Sequence, residues 1–207
     1  MDLCLTDSSA GKWPCRLHSM TLGGTLDSAV VKTFEWPPAI DQLIFLGYAS
    51  LDLSALRIAL SHPVLFSQIR RLTFLINKPG MLADDSGLNI LYELPNLVYL
   101  RIPIDIFLNM AHEDLPHWNS VPLKVLELEQ HVELEEDESD VTDILGQLRT
   151  IFSNVWALGL TQNTMRIFRQ RVKELEDEIW SHIPDDEEML AEGLRALEGG
   201  DIGLYII

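Results

Sequence analysis

The chain has 207 residues, 47% hydrophobic and 23% charged, which is the make-up of a folded domain or repeat array and excludes disorder over most of its length. Its 32 acidic residues against 15 basic ones leave a net charge of −17, which argues against a nucleic-acid partner, since phosphate backbones are bound by clustered Lys and Arg. Two cysteines, Cys4 and Cys15, are too few for a disulfide framework and read as reduced thiols. The N-terminus carries Asp2, Ser8, Ser9 and Lys12 where a signal peptide needs an apolar core, and no run reaches the ~18 apolar residues of a membrane span. The expected location is cytoplasmic or nuclear, with no membrane partner.

One motif recurs along the chain: apolar, two variable residues, apolar, one variable, apolar. It appears at Leu17-Met20-Leu22, Ile40-Leu43-Phe45, Ile69-Leu72-Phe74, Leu97-Leu100-Ile102, Leu123-Leu126-Leu128 and Val155-Leu158-Leu160. The intervals between starts are 23, 29, 28, 26 and 32 residues, close to the period of leucine-rich repeats. Leu3 and Leu5 look like the end of an incomplete first unit, and Ile202, Tyr205 and Ile207 like a last one.

Each unit predicts a short strand whose repeated apolar residues enter the core, followed by a polar residue that satisfies backbone groups at the turn. That polar position holds Asn77 and Asn163 in two units, and Thr25, Tyr48, Asp105 and His131 in the others, so a regular asparagine ladder is mostly missing. Return segments alternate with the strands. Leu53, Leu56, Ile58 and Leu60 give an apolar run stopped at His62-Pro63; Leu88, Leu91 and Leu94 give a short helix ended by Pro95. From Val141 to Phe152 the apolar residues keep helical spacing, with Ser139 or Asp140 as the cap.

After Asn163, Phe168, Val172, Leu175 and Ile179 form the apolar stripe of a longer helix whose Arg166, Arg169, Arg171 and Lys173 pair with Glu174, Glu176, Asp177 and Glu178. A second helix starts near Pro184 and ends at Gly199-Gly200. Two amphipathic helices suit the cover that a terminal repeat requires. The predicted architecture is therefore α/β: an irregular leucine-rich-repeat solenoid with a parallel sheet of six to eight short strands and convex helices over residues 1–162. A helical C-terminal cap over 163–207 carries a last strand.

Two stretches resemble the irregular leucine-rich-repeat regions of fungal F-box-type proteins. They are Glu35-Trp36-Pro37-Pro38 leading into Ile40-Asp41-Gln42-Leu43-Ile44-Phe45-Leu46-Gly47, and Leu94-Pro95-Asn96-Leu97-Val98-Tyr99-Leu100-Arg101-Ile102-Pro103. The resemblance covers roughly Leu3 to Asn163, and it implies a repeat region that recruits substrates for a ubiquitin ligase. The F-box of that family lies ahead of the repeats, whereas here the first unit is incomplete; the expectation is a fragment or truncated member, and a ligase scaffold joins only where an F-box lies upstream.

No catalytic, cofactor-binding or metal-binding set is expected, so the chain reads as an interaction module and not an enzyme. His112 and His117 are five apart, not four, and Pro116 breaks the helix a zinc-protease motif needs. His131, Glu133 and Glu135 alternate as metal ligands could, but they run into an acidic stretch, Glu133 to Asp143, with seven acids and no base. That stretch reads as a solvated insertion, or as a contact for a basic partner. The alternatives to ligase recruitment are a stand-alone repeat scaffold unrelated to ubiquitin and a hydrolytic enzyme.

A partner is expected on the concave face. Side chains alternate along a strand, so the variable positions point away from the core. These are Ser19 and Thr21, then Gln42, Ile44, Leu46, Arg71, Thr73, Leu75, Tyr99, Arg101, Glu127 and Glu129. Apolar and aromatic groups beside arginines resemble an interface hot spot.

Overall fold

The computed structural model describes residues 2–3, 16–23, 27–47, 53–76, 90–104, 107, 121–129, 154–178 and 203–207. Its elements are β1 (Asp2–Leu3), β2 (Ser19–Gly23), α1 (Ser28–Thr33), β3 (Gln42–Gly47), α2 (Leu53–Leu60), α3 (Pro63–Gln68) and β4 (Arg71–Ile76). They continue with α4 (Ile90–Glu93), β5 (Tyr99–Pro103), β6 (Val125–Glu129), β7 (Ala157–Leu160), α5 (Gln162–Glu178) and β8 (Gly203–Ile206). The fold is α/β. The strands make one sheet in chain order, β1 to β8, every pair parallel.

Register follows the apolar motif. Met20, Leu43, Leu72, Leu100, Leu126, Leu158 and Leu204 lie side by side across β2 to β8. Leu43, Leu72, Leu100, Leu126 and Leu158 are all 0% exposed. In the next inward row Phe45 stacks on Phe74 with centroids 5.2 Å apart, and Ile102, Leu128 and Leu160 are buried with them. Ala55, Leu56 and Leu60 of α2, Leu65 of α3 and Leu91 of α4 join the same core, so the helices cover this face of the sheet. A parallel strand needs such a crossover to return to its starting end.

The backbone repeats where the side chains do not. At the entry to each of five successive strands, two consecutive amides donate to one carbonyl of the preceding unit. Asp41 and Gln42 donate to His18 O (both 3.0 Å), Arg70 and Arg71 to Asp41 O (2.8 and 3.1 Å), and Val98 and Tyr99 to Arg70 O (2.9 and 3.0 Å). Lys124 and Val125 then donate to Val98 O (2.9 and 3.1 Å), and Trp156 and Ala157 to Lys124 O (3.0 and 3.2 Å). A carbonyl oxygen accepts two donors, so this turn is satisfied without any particular side chain. The preceding residues, Ile40, Ile69, Leu97, Leu123 and Val155, are buried and fix the turn to the core.

Local signals place the helices. Asp27 caps α1, its Oδ1 accepting from Ala29 N at 2.6 Å. His62-Pro63 ends α2 as expected but also starts α3: His62 Nδ1 accepts from Val64 N at 3.3 Å, and proline at the first helical position loses no bond. In Leu94-Pro95-Asn96-Leu97 the leucines are buried and Asn96 reaches back, its Nδ2 donating to Ser67 O at 2.8 Å across 29 residues. Asn96→Ala is expected to cost about 1 kcal/mol, the net worth of one exposed hydrogen bond, in urea unfolding; an unchanged midpoint would show that this stitch carries nothing.

The last strand differs in phase from the expectation. Leu204 and Ile206 pair with Leu158 and Leu160, whereas Tyr205 pairs with Gly159 on the opposite face. Tyr205 and Ile207 are thus not inward, because a one-residue shift in a period-two strand exchanges its faces, and Ile202 lies outside the described residues. The segment Val141 to Phe152, the second cap helix, Leu5, both cysteines and the acidic stretch lie outside the described residues. So do Thr25, Tyr48, Asn77, Asp105 and His131; Asn163 is an exposed residue of α5 whose Oδ1 accepts from Arg166 Nη2 at 3.1 Å.

Candidate functional site: the open face of the sheet

The face turned away from the helices carries the variable positions in rows. One row runs Ser19, Gln42, Arg71, Tyr99, Val125, Ala157, Gly203, and the next runs Thr21, Ile44, Thr73, Arg101, Glu127, Gly159, Tyr205. Among the described residues no element lies over them, and Gln42, Ile44, Leu46, Leu75, Tyr99, Arg101 and Glu129 are half-buried between neighbours. Arg71 is exposed; Thr73 and Glu127 are buried, at 8% and 9% exposure.

The face divides into two zones. Over β5 to β8 the polar groups are tied to one another. Glu127 accepts from Tyr99 Oη at Oε2 and from Tyr205 Oη at Oε1, both at 2.6 Å. Arg101 grips Glu129 as a fork, Nε to Oε2 at 3.1 Å and Nη2 to Oε1 at 3.0 Å, and its Nη1 lies 3.7 Å from Glu127 Oε2. Arg71 lies over the Tyr99 ring, its guanidinium carbon 4.6 Å from the centroid. Over β3 and β4 the corresponding positions hold Ile44, Leu46, Thr73 and Leu75, with Arg71 at their edge.

Gly159 makes the first zone possible. A Cβ there would stand 2.7 Å from Glu127 Cγ, 2.7 Å from Ile207 Cγ2 and 2.9 Å from Tyr205 Cε2. Tyr205 therefore crosses β7 through a slot with no side chain and reaches a carboxylate two strands away.

Burial, then the hydrogen bond to Glu127, then the Glu127 charge push the Tyr99 hydroxyl up to about 12, against the pull of Arg101 and Arg71. The same three causes push Tyr205 higher still. The Arg101 guanidinium is raised, first by its hydrogen bond to Glu129, then with burial opposing, and further by the charges of Glu129 and Glu127. A tyrosine pKa above its unfolded value contributes stability that is complete below the unfolded pKa and lost as pH climbs through the folded one. Of the four tyrosines in the chain, Tyr99 and Tyr205 should resist ionisation in an absorbance titration until pH exceeds the ordinary value near 10, with stability falling between there and about 12. All four titrating together near pH 10 in the folded chain would remove the network.

Of the ten expected partner-contact residues, five (Arg71, Tyr99, Arg101, Glu127 and Glu129) meet in this network, and Gln42, Ile44, Leu46, Thr73 and Leu75 lie beside it. Tyr205, which the sequence places inward in a last unit, and Gly159 are not among the expected contacts. The usable signal was the strand pair Ala157–Leu160 and Gly203–Ile206, whose alternation puts both on one row. Among the described residues no group of three His, Cys, Asp or Glu side chains could hold a metal; His112, His117, His131, Glu133 and Glu135 lie outside them. Among the same residues no helix is long and apolar enough to cross a membrane. No protein-family model matches the sequence, and neither a curated protein nor a solved structure matches it.

Proposed function

We propose that the chain is an irregular leucine-rich-repeat-type solenoid, cytoplasmic or nuclear, that docks a protein partner on the open face of its sheet. The role favoured by the resemblance to F-box repeat regions is substrate recruitment for a ubiquitin ligase. The observation that carries the docking reading is the division of the face. The β5 to β8 zone spends its polar groups internally and is a rigid support, while Ile44, Leu46 and Leu75 remain half-exposed beside the exposed guanidinium of Arg71. Apolar side chains next to an arginine on a preorganised surface are what binding hot spots are made of.

The contact centre then lies over β3 and β4 instead of at Tyr99 and Arg101. Tyr99 and Arg101 support the surface through Glu127 and Glu129, so truncating them disturbs the face itself; Leu46 and Leu75 are the better probes. In affinity capture with the full chain, Leu46→Asp with Leu75→Asp should lose a specific partner by tenfold or more, while Arg57→Glu on the helical side keeps it. Equal capture by both variants would refute docking on this face. Co-purification of a cullin scaffold with the full-length product supports ligase recruitment; its absence alongside a retained partner favours a stand-alone scaffold.

A further inference from the structure

The doubled strand-entry turn lines up a second set of residues at the N-terminal ends of the strands. Their order across the sheet is His18, Asp41, Arg70, Val98, Lys124, Trp156, each linked to the next through the carbonyls that accept the paired amides. Arg70, Lys124 and the neighbouring Arg71 are exposed, and Trp156, 60% exposed, is the most exposed large apolar side chain among the described residues. With strands about 4.8 Å apart, Arg70 and Lys124 are about 10 Å apart along this ledge and Trp156 follows about 5 Å beyond Lys124.

Among the described residues the basic side chains of the ledge, Arg70, Arg71 and Lys124, make no ion pair; Asp41, next to Arg70 in the row, makes its contact with His18, at 3.8 Å. Arg101 makes the contrast: one strand over from Arg71, it is held by two carboxylates. Arg70 and Lys124, without an ion pair among the described residues, thus share one edge with the open indole of Trp156, and Arg71 stands beside them on the Tyr99 ring. At physiological salt the screening length is about 8 Å, so a short ligand feels the ledge and not the total charge.

We propose that this ledge binds an extended acidic segment of the docked protein, its carboxylates on Arg70, Arg71 and Lys124 and an apolar side chain against Trp156. The inference rests on the sheet face being the docking surface and names the chemistry of the partner that enters at its edge. Charge complementarity selects that occupant. A nucleic acid carries phosphates well past the few cations of the ledge, whereas a few carboxylates in an extended strand match it in length.

The test uses the full chain and three labelled probes in fluorescence anisotropy: a peptide of three Asp-Leu-Glu repeats, its neutral Asn-Leu-Gln counterpart, and a single-stranded oligonucleotide. The acidic peptide should bind, more weakly as salt rises, and Arg70→Glu with Lys124→Glu should weaken it at least tenfold, with Trp156→Ala costing several-fold. Circular dichroism should show these surface variants folded. No binding, equal binding of the neutral peptide, preference for the oligonucleotide, or indifference to the charge reversals overturns the proposal. If Leu46→Asp with Leu75→Asp abolishes partner capture while the charge reversals leave peptide binding unchanged, the ledge fails and the face reading stands. If that double substitution leaves partner capture intact, the face reading fails by itself.

Discussion

Replacing Glu127 by alanine is expected to lower the unfolding free energy by about 3 kcal/mol, because it strips the acceptor from two tyrosine hydroxyls at once and each charge-assisted bond of this kind is worth about 1.5 to 3 kcal/mol. The side chain is only 11% exposed, and both partners are half-buried, so water replaces the lost carboxylate poorly. Three strands share the damage: Tyr99 belongs to β5, Glu127 to β6 and Tyr205 to β8. Glu127→Gln keeps one acceptor oxygen and should fall between wild type and alanine. Tyr99→Phe and Tyr205→Phe each remove one bond, and combined with Glu127→Ala neither should cost much more, which is the coupling a double-mutant cycle reads. Additive losses would mean that the three side chains do not act as a unit.

Gly159→Val should cost a similar amount, about 3 kcal/mol, by the opposite route of overpacking. The Cβ alone would sit 2.7 Å from Glu127 Cγ and from Ile207 Cγ2. Glu127 cannot swing aside while two hydroxyls hold its oxygens, so the strand that gives way is β8, at the edge of the sheet. Hydrogen exchange should therefore show faster exchange at Leu204 to Ile207 and little change in β3 and β4. In a Tyr205→Phe background the penalty should shrink, since the hydroxyl bond that pins the ring is already lost. A valine variant as stable as wild type, with β8 still protected, would rule out the slot.

The sheet was legible because the apolar motif has a chemical cause that survives irregular spacing: every inward position must be apolar wherever the next unit begins. Leu43, Leu72, Leu100 and Leu126 could be placed from that alone. The open face was legible only as a set of positions. Arg71, Tyr99, Arg101, Glu127 and Glu129 could be read as outward-facing, yet nothing in their spacing says that Glu127 spends its charge on Tyr99 and on a tyrosine 78 residues away. The phase of β8 is not legible in the sequence because Ile202, Leu204, Tyr205, Ile206 and Ile207 offer two overlapping apolar alternations, and the choice is made by Gly159 and Glu127 on neighbouring strands. The strand-entry turn escaped for a different reason: it is built from backbone amides and carbonyls, which leave no mark on residue type.

Site-specific photo-crosslinking gives the most direct test that the open face of the sheet is where a partner docks. A photoreactive phenylalanine analogue at position 75, on the face, and another at position 57, on the helical side, report on opposite surfaces of the same sheet. A partner docked on the open face crosslinks from position 75, loses that crosslink when Leu46→Asp is added, and gives none from position 57. A partner crosslinked from position 57 but not from position 75 would contradict it.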